Sequence, residues 1–486
     1  MTNKNKVAII GGLVFVDRYF TSELFQKEFN SLSSRNSNLE IDYYSKVLKT
    51  VEEFSKRNPS SKFKIKHISL SFSFKAHRIS NHFRKLRDYC YDYSESGSLT
   101  RRYFYENMGY EKRLVHGFDF KVFSLLNSRG IRQFLDFIVA KICILLRSND
   151  VKSNVNWDDY DSVYLCWPYA EHNQNIAAEL VCRKVQFSYI YFNFDNLTTK
   201  PRVIYKPKKF LVWGHRNAEE VKRFYQNWNP DIKIIGNPNY EIFDYLSRNA
   251  NQFDDKLLFN SLESINSENG KLNHYKYRIL WALGSPNLFD ETSNLIHFIT
   301  HLPVSISSKI ELIIRPHPAF DFEKIKVAII NEIENRNEFL LVKFQNSNNL
   351  IEADYQNSDS VKLLFDTFKY CDLVINTTST IGIDALYFKL PVLNICYSVT
   401  EDKKNTQNIV ASNNLWEHYS WILTKKAILK IENENQLFRT LEEFILGSHF
   451  DSQTMIDDRN DILSELSNYP MKNTSTSERI IKELIN

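Results

Sequence analysis

A cationic loop bracketed by two prolines follows one of the most apolar runs in the sequence. Leu312–Ile314 leads directly into Arg315-Pro316-His317-Pro318. An arginine presents a planar fork of donors that matches a phosphate, and a histidine can donate to phosphate or change its charge near neutral pH. We therefore predict that Arg315 and His317 bind a phosphate group. The alternative is an arginine bound to a helix C-terminus beside a structural histidine.

A run of four hydroxyl side chains follows a second apolar segment, Leu373–Asn376. The run is Thr377-Thr378-Ser379-Thr380. Hydroxyls and backbone N–H groups at the start of a helix form an anion site, which suits a diphosphate. Asp384 lies one turn inside the predicted helix, where we predict that it accepts ribose hydroxyls. A simple N-cap would explain one hydroxyl but not four in succession.

Two further loops at the ends of predicted strands carry candidate residues. Gly284 and Ser285 follow the apolar segment Arg278–Leu283, and we predict that they bind substrate. Glu171 and His172 follow another such segment and open a predicted helix, where an acid/base pair would be well placed. We predict a catalytic role for both, the open alternative being that they are ordinary residues of a first helical turn.

Length, charge and cysteine spacing describe a globular protein and argue against several functional classes. The 486 residues exceed one ordinary core and predict two domains. The net charge of +4 gives no global signature of nucleic-acid binding. Six dispersed cysteines without a CxxC pair favour a reducing cytoplasm over disulfides or a zinc site, and we predict no metal. No GxxxxGK[ST], GxSxG or HExxH motif occurs, which argues against P-loop ATPases, serine hydrolases and zinc proteases.

Strand and helix signals alternate along both halves of the chain, which predicts an α/β protein with a helix-covered parallel sheet in each half. Residues 247–276 are polar with little periodicity and are predicted as a linker. The predicted division is therefore a first domain at 1–246, the linker at 247–276, a second domain at 277–470 and a final helix within 471–486. The apolar segment Val7–Val16 is interrupted by Gly11-Gly12, and we interpret it as a first strand rather than a signal peptide.

Two segments of the first half leave a membrane-docking alternative open. Residues 75–113 interleave basic residues with aromatic ones, and a basic face here would suit an anionic acceptor or a phospholipid surface. The alternative is a solvated helical face. Phe134–Leu146 predicts a buried or interfacial amphipathic helix, because it is too short to cross a bilayer.

Taken together, these features resemble glycosyltransferases of the GT-B type, which have two Rossmann-like domains facing a cleft. In such enzymes a hydroxyl turn is followed by an acidic residue, then Ala and then Pro-Val, and the matching positions are Asp384, Ala385, Pro391 and Val392. Phe210–Gly214 and Ile235–Pro238 are similar to the end of the N-terminal domain of bacterial capsule transferases and of the CDP-glycerol glycerophosphotransferase-like group. The helix Ser475–Ile485 resembles the one with which these enzymes close the chain against the first domain.

Two positions depart from the pattern of these enzymes. Lys389 stands where many of them have Gly before the Pro, and Asn376 stands where many retaining members carry a Glu. A retaining mechanism therefore has no support from this motif, and the stereochemistry stays open.

The resemblance implies a metal-independent enzyme without a cofactor that moves a sugar from a nucleotide-sugar donor to a cell-surface polysaccharide or a lipid-linked acceptor. It also implies a cytoplasmic location, with peripheral association at the cytoplasmic membrane as a further expectation, and no nucleic-acid partner. Two alternatives on the same scaffold are a CDP-glycerol-type glycerophosphotransferase and a UDP-sugar 2-epimerase. A third is a non-catalytic protein of polysaccharide assembly or membrane docking.

Overall fold

The computed structural model describes most of the chain. The described residues are 5–11, 14–35, 39–46, 51–52, 54, 62–71, 84–85, 87–94, 97–107, 129–147, 152–249, 256–264, 277–284, 291–317, 322–333, 340–345, 359–399, 415–447, 450, 452–470 and 474–485. The chain folds as two compact units, one comprising Met1–Ile242 and Ser464–Asn486, the other comprising Phe243–Asp354 and Ser358–Leu463. Each unit contains its own seven-stranded sheet.

The sheet of the first unit is entirely parallel. Its strands are β1 (Asn5–Ile10), β2 (Leu39–Ser45), β3 (Phe63–His67), β6 (Ser162–Cys166), β7 (Phe187–Ile190), β8 (Lys209–Val212) and β9 (Asp231–Ile234), while β4 (Leu70–Ser71) and β5 (Lys152–Ser153) form a separate antiparallel pair. The spatial order is β3-β2-β1-β6-β7-β8-β9. Val7–Ile10 are fully buried, as expected for a parallel strand covered by helices on both faces. The chain order reverses at β1, which pairs with both β2 and β6.

Helices cover both faces of this sheet. They are α1 (Val14–Thr21), α2 (Glu23–Arg35), α3 (Leu99–Asn107), α4 (Arg129–Arg147), α5 (Glu171–Arg183), α6 (Asn196–Thr199) and α7 (His215–Phe224), and the next helix, α8 (Pro238–Arg248), crosses from the first unit into the second after Ile242. Part of the core is aromatic: the Phe210 ring stacks on Tyr225 with centroids 5.2 Å apart, and Tyr225 stacks on Trp228 at 4.8 Å. Aromatic side chains therefore fill part of this core. Glycine is scarce in the chain.

The sheet of the second unit repeats this plan with one antiparallel edge strand. Its strands are β10 (Leu262–Ser264), β11 (Tyr277–Ala282), β12 (Ile310–Arg315), β13 (Leu341–Gln345), β14 (Leu373–Asn376), β15 (Val392–Ile395) and β16 (Ile428–Ile431), in the spatial order β10-β13-β12-β11-β14-β15-β16. Its helices are α9 (Lys256–Ser261), α10 (Thr292–His301), α11 (Val304–Ser307), α12 (Phe322–Ile333), α13 (Asp359–Tyr370), α14 (Thr380–Tyr387), α15 (Glu417–Ser420), α16 (Glu434–Ile445) and α17 (Gln453–Ser467). Here the chain order reverses at β11, which pairs with both β12 and β14.

The last helix, α18 (Thr476–Ile485), belongs to the first unit and packs against α2. The Glu241 carboxylate accepts hydrogen bonds from the Tyr19 hydroxyl at 3.0 Å and from the Ser477 backbone N–H at 2.9 Å. Lys209 forms an ion pair with Glu483 at 2.8 Å. The predicted return of the C-terminal helix to the first domain is confirmed.

The stretch predicted as a linker contains regular structure. Within 247–276 the chain forms α9 and β10, and β10 pairs antiparallel with β13 at the edge of the second sheet. Glu263 and Ser264 are exposed, so this edge strand lacks the apolar alternation by which strands are recognised in a sequence.

Several basic residues of the segment 75–113 are internal. Arg84, Arg87 and Arg101 are buried, Arg87 bonds to Asp88, and Arg101 bonds to Asp92 through two nitrogens. Both guanidinium groups also donate to backbone carbonyls between residues 197 and 203. These arginines stabilise the first unit and cannot form a surface for lipid. Arg78, Lys112 and Arg113 lie outside the described residues.

Helix α4 contains the predicted amphipathic segment Phe134–Leu146. Val139 is buried in the core of the first unit, whereas Phe134, Phe137 and Leu145 are 61%, 60% and 70% exposed. Among the described helices, none is both long and apolar enough to cross a membrane.

Candidate functional site

The carboxyl end of the second sheet brings three predicted segments side by side. Ala282 of β11 pairs with Arg315 on one side and with Asn376 on the other. Neighbouring strands are about 4.8 Å apart, so the backbones of Arg315 and Asn376 lie about 10 Å apart across β11. The chain order reverses here, which is where open α/β sheets bind their ligands. The loops after β11, β12 and β14 are therefore well placed to form one site.

A buried glutamate joins the ends of β11 and β14. One carboxylate oxygen of Glu291 accepts a hydrogen bond from the Gly284 backbone N–H, and the other accepts one from the Thr377 hydroxyl. Glu291 immediately precedes α10. Because both oxygens are used, the carboxylate fixes two predicted site segments relative to each other. Ser285, predicted together with Gly284, lies outside the described residues.

The hydroxyl turn adopts a backbone conformation that its neighbours maintain. Thr378 has φ of 43°, in the left-handed region that threonine seldom adopts, and its N–H donates to Oδ1 of Asn394 on β15 at 2.7 Å. Ser379 is the N-cap of α14, and its hydroxyl accepts a bond from the Ile381 N–H at 3.4 Å. The Thr378 hydroxyl oxygen is buried and finds no hydrogen-bond partner in the part of the chain that the structure describes. Capping therefore accounts for the Ser379 hydroxyl and the bond to Glu291 accounts for the Thr377 hydroxyl, which leaves the Thr378 hydroxyl to be explained.

Helix α14 lies very close to β14. A Cβ atom at Gly382 would come within 2.5 Å of Nδ2 of Asn376, so only a glycine fits at this position without movement of its neighbour. Asp384 is 4% exposed. Its carboxylate therefore lies inside the unit rather than on the surface of the turn, and the ribose contact stays a prediction.

Arg315 is oriented by the end of the neighbouring strand β13. Its guanidinium donates to Oε1 of buried Gln345, and Nε2 of Gln345 donates to the Thr367 hydroxyl at 2.7 Å. His317 is partly buried two residues further on, and burial lowers its pKa. Its imidazole is therefore neutral at pH 7 and can donate one hydrogen bond without adding charge.

The carboxyl end of the first sheet holds the other predicted pair, Glu171 and His172. These residues open α5, which follows β6 after a turn in which Trp167 has φ of 59°. The Asn173 side chain donates to the backbone carbonyls of Cys166 and Trp167 and holds this turn in place. β6 pairs with β1, and the start of α5 lies beside the end of β1.

The environment of His172 keeps its imidazole neutral. Burial and the nearby charge of Lys46 lower its pKa to about 3, opposed by a hydrogen bond with the Gly11 backbone. Its Nε2 nitrogen is buried and has no hydrogen-bond partner within the described ranges. A base is most effective when its pKa lies near the working pH. The lowered pKa therefore favours a hydrogen-bonding role over proton abstraction by His172.

A carboxylate that the sequence reasoning missed lies in the same region. Asp17 of α1 is buried and accepts hydrogen bonds from the Tyr43 hydroxyl and, at 2.7 Å, from the Ser45 hydroxyl. Burial raises the pKa of Asp17 to about 6, although these bonds act in the opposite direction. A Cβ atom at Gly11 would lie 2.5 Å from Oδ1 of Asp17, so this carboxylate is close to the end of β1.

Four residues of these two regions were not predicted from the sequence. Three are polar residues within or beside an apolar segment, namely Asp17, Gln345 and Asn394, whereas Glu291 lies between Asp290 and Thr292 and carries no such signal. A polar residue in an apolar segment is costly to bury unless it is hydrogen-bonded, which makes a structural or functional partner expected. The identity of the partner cannot be read from local spacing, because each bond joins distant parts of the chain.

Comparison with solved structures identifies the fold. Staphylococcus aureus MnaA, solved with UDP, aligns with a TM-score of 0.50 at 11% identity, covering 99% of this chain and 96% of that chain. A Listeria monocytogenes protein assigned as a UDP-N-acetylglucosamine 2-epimerase aligns with a TM-score of 0.50 at 10% identity, covering 100% of this chain and 96% of that chain. No protein-family model and no curated protein sequence matches the chain. At such identities the likeness shows the fold alone, and it confirms the predicted two-domain α/β fold of the GT-B type.

Proposed function

We propose that the second unit binds the diphosphate of a nucleotide sugar and that the protein transfers the sugar to a glycan or lipid-linked acceptor. The observation that carries this proposal is the junction in which Glu291 holds Gly284 and Thr377 together beside the start of α14. The buried Glu291 carboxylate holds together the loops after β11 and β14, at the end of the sheet where parallel α/β sheets bind their ligands. The fold, which is that of nucleotide-sugar enzymes, supports the same reading.

The groups around this junction suit the charge that develops during sugar transfer. As the bond from the sugar to the diphosphate breaks, the leaving group gains negative charge. Arg315, the Ser379 hydroxyl and the positive end of α14 are fixed donors for that charge, and they can neutralise it without a metal ion. The buried Thr378 hydroxyl, which has no partner in the described part of the chain, is a further donor available to a ligand.

The acceptor hydroxyl has to lose a proton, and we propose that the first unit supplies the base. Glu171 and His172 are the residues predicted from the sequence. Asp17 is better matched to this task at neutral pH, because its pKa of about 6 lies nearer the working range than the pKa of about 3 at His172. In this proposal the neutral imidazole of His172 orients a hydroxyl by hydrogen bonding.

A second candidate function is epimerisation of a UDP-sugar. It is favoured by the similarity along nearly the whole chain to a protein solved with UDP and to one assigned as a 2-epimerase. Both functions require a pocket for a nucleoside diphosphate, and they differ in whether a separate acceptor takes part. The CDP-glycerol-type transferase would use the same pocket with glycerol phosphate as the transferred group.

A ligand panel followed by product analysis tests the proposal. Thermal shift with UDP-, GDP- and CMP-sugars and with CDP-glycerol identifies the donor, because a ligand that binds the native state raises the melting temperature. NMR of the stabilising donor, incubated with and without envelope glycans or lipid-linked sugars, then identifies the reaction. Acceptor-dependent loss of the sugar supports transfer, whereas a new 2-epimer without acceptor establishes epimerisation. Failure of every nucleotide to bind would contradict both and favour a non-catalytic role.

We also propose peripheral association with the cytoplasmic face of the membrane, through α4 rather than through the segment 75–113. Phe134, Phe137 and Leu145 expose an apolar stripe on α4, and Lys141 lies on the same exposed side with its ammonium 5.7 Å from the Phe137 ring. An apolar face with a cationic residue is typical of helices that lie in a membrane interface.

Sedimentation with anionic vesicles tests this surface. The double variant Phe134→Ser/Phe137→Ser should bind vesicles at least tenfold more weakly than the wild type, while the control Leu99→Ser, at a residue 57% exposed on α3, should bind as the wild type does. Equal binding of the double variant and the wild type would exclude α4 as the docking surface.

A further inference from the structure

We infer that His297, His301 and Glu434 form a binding site for a zinc-like transition-metal ion in the second unit. His297 and His301 lie on α10, four residues apart, and Glu434 opens α16. Residues four apart on a helix share one face, which is the spacing by which helices present two imidazoles to one metal ion. The site therefore combines two helices of the same unit.

The ligand atoms of these three side chains already converge. One nitrogen from each histidine and one carboxylate oxygen all lie within 4.8 Å of one another. Nε2 of His297 is 3.0 Å from one Glu434 oxygen and 3.1 Å from the other. Ligand atoms around a tetrahedral zinc ion are about 3.3 Å apart, so small rotations of the side chains would complete the geometry.

The donor set selects the class of metal. Two imidazoles and one carboxylate suit zinc and its neighbours, and they leave a fourth position for water. Calcium and magnesium prefer oxygen ligands and would bind poorly here. The side chains of His297 and Glu434 are 34% and 24% exposed, so an ion can enter from solvent.

A hydrogen bond orients His301 for this role. Its Nδ1 lies 2.9 Å from the His297 backbone carbonyl, an outer contact that fixes the imidazole ring and leaves Nε2 for a metal ion. The two imidazole rings are stacked with centroids 3.8 Å apart. An ion pair between His297 and Glu434 would explain those two residues, but it would not explain why a second imidazole is placed against the first.

The expected role of the ion is structural and independent of the proposed transferase function. His297 lies six residues after Glu291, which corresponds to about 9 Å along the helix axis. A metal ion at this point would link α10 to α16 through its ligands. It would thereby stabilise α10, the helix that begins beside Glu291. It would lie outside the proposed diphosphate site and take no part in its chemistry.

Zinc titration of the full-length protein tests the site. The proteins are first treated with a chelator and then titrated with Zn²⁺ in a calorimeter. Glu434→Gln and His301→Ala should each bind one equivalent of Zn²⁺ fewer than the wild type, or bind that equivalent at least tenfold more weakly. Zn²⁺ should raise the melting temperature of the wild type, and Mg²⁺ should not. His215→Ala, which removes an exposed histidine of the first unit, is the matched control and should behave as the wild type.

The near-isosteric Glu434→Gln variant keeps the test valid if a histidine variant fails to fold. Loss of the zinc-induced stabilisation in Glu434→Gln, with its melting temperature in the absence of zinc close to that of the wild type, supports the site. Zinc binding of equal stoichiometry and affinity in all variants would overturn the inference, as would the absence of zinc binding by the wild type.

Discussion

The carboxyl ends of the two sheets have the same topology and carry chemically different groups. In each sheet the chain order reverses between two neighbouring parallel strands, which are β1 and β6 in the first unit and β11 and β14 in the second. In the second unit the carboxylate of Glu291 bonds a backbone N–H and a hydroxyl from two loops. In the first unit Asp17 bonds two hydroxyls, and burial raises its pKa to about 6.

Under the proposed function, this difference corresponds to a binding role for the second unit and a proton-transfer role for the first. A carboxylate whose two oxygens hold separate loops fixes a binding site, whereas a carboxylate that titrates near neutral pH can exchange a proton. In that proposal the same arrangement of strands serves ligand binding in one unit and proton transfer in the other. Function on such folds resides in the residues at the strand ends rather than in the sheet itself.

The largest expected effect concerns the binding junction. Glu291→Ala leaves the Gly284 N–H and the Thr377 hydroxyl buried without their partner, which should lower the unfolding free energy by about 4 kcal/mol. Denaturant unfolding followed by circular dichroism measures this loss. Glu323→Ala, at an exposed position of α12, is the control and should change stability by less than about 0.5 kcal/mol. A loss below about 1 kcal/mol for Glu291→Ala would break the comparison, because Glu291 would then not organise the site.

The next effect concerns the titratable carboxylate of the first unit. The pKa of Asp17 is about 6 in the folded protein against an ordinary value of 3.8, so the unfolded chain loses this proton first as the pH rises. The folded state should therefore lose stability between about pH 4 and pH 6, by up to about 3 kcal/mol, and keep that loss at higher pH. Asp17→Asn lacks this titration.

Urea unfolding at pH 4 and pH 7 checks this prediction. The stability of Asp17→Asn relative to the wild type should rise by up to about 3 kcal/mol between the two pH values. Glu23→Gln removes an exposed carboxylate of α2 and should show no comparable change. A constant difference between Asp17→Asn and the wild type would show that Asp17 does not titrate in this range and would remove the contrast between the two sheet ends.

A smaller change in stability is expected from a substitution at the start of α14, in the binding site proposed for the second unit. Gly382→Ala places a methyl group 2.5 Å from Nδ2 of Asn376 and should cost about 2 kcal/mol of stability together with donor affinity. Gly130→Ala on α4 meets no atom within 4 Å and should stabilise the protein by up to about 1 kcal/mol. Thermal unfolding of both variants provides the measurement. Equal effects of the two substitutions would show that the close approach of α14 to β14 does not matter.

The sequence predicted the architecture well because its signals are local. Apolar runs such as those before Arg315 and Thr377 correspond to strands β12 and β14, and the last helix returns to the first unit as expected. The edge strand β10 was missed because it is short and polar. A strand of that kind is defined by its hydrogen bonds to β13 rather than by its own composition.

The candidate sites were predicted only in part, because their key contacts join residues far apart in the chain. Thr377 is 86 residues from Glu291, and Tyr43 is 26 residues from Asp17. The hydrophobic periodicity of a sequence does not indicate which distant residues form such pairs. Burial also changes what a residue can do: the lowered pKa of His172 follows from its surroundings, and residue type alone would have suggested a histidine that titrates near neutral pH.

The most direct test of the account is calorimetric binding of the nucleoside diphosphate that matches the donor found in the ligand panel. Arg315→Ala should weaken binding at least tenfold, and Arg315→Lys should recover only part of the loss because an ammonium lacks the planar fork of a guanidinium. Arg439→Ala, which removes an arginine of α16 whose side chain is 72% exposed, should bind as the wild type does. Undiminished binding by Arg315→Ala would contradict the placement of the diphosphate at the carboxyl end of the second sheet.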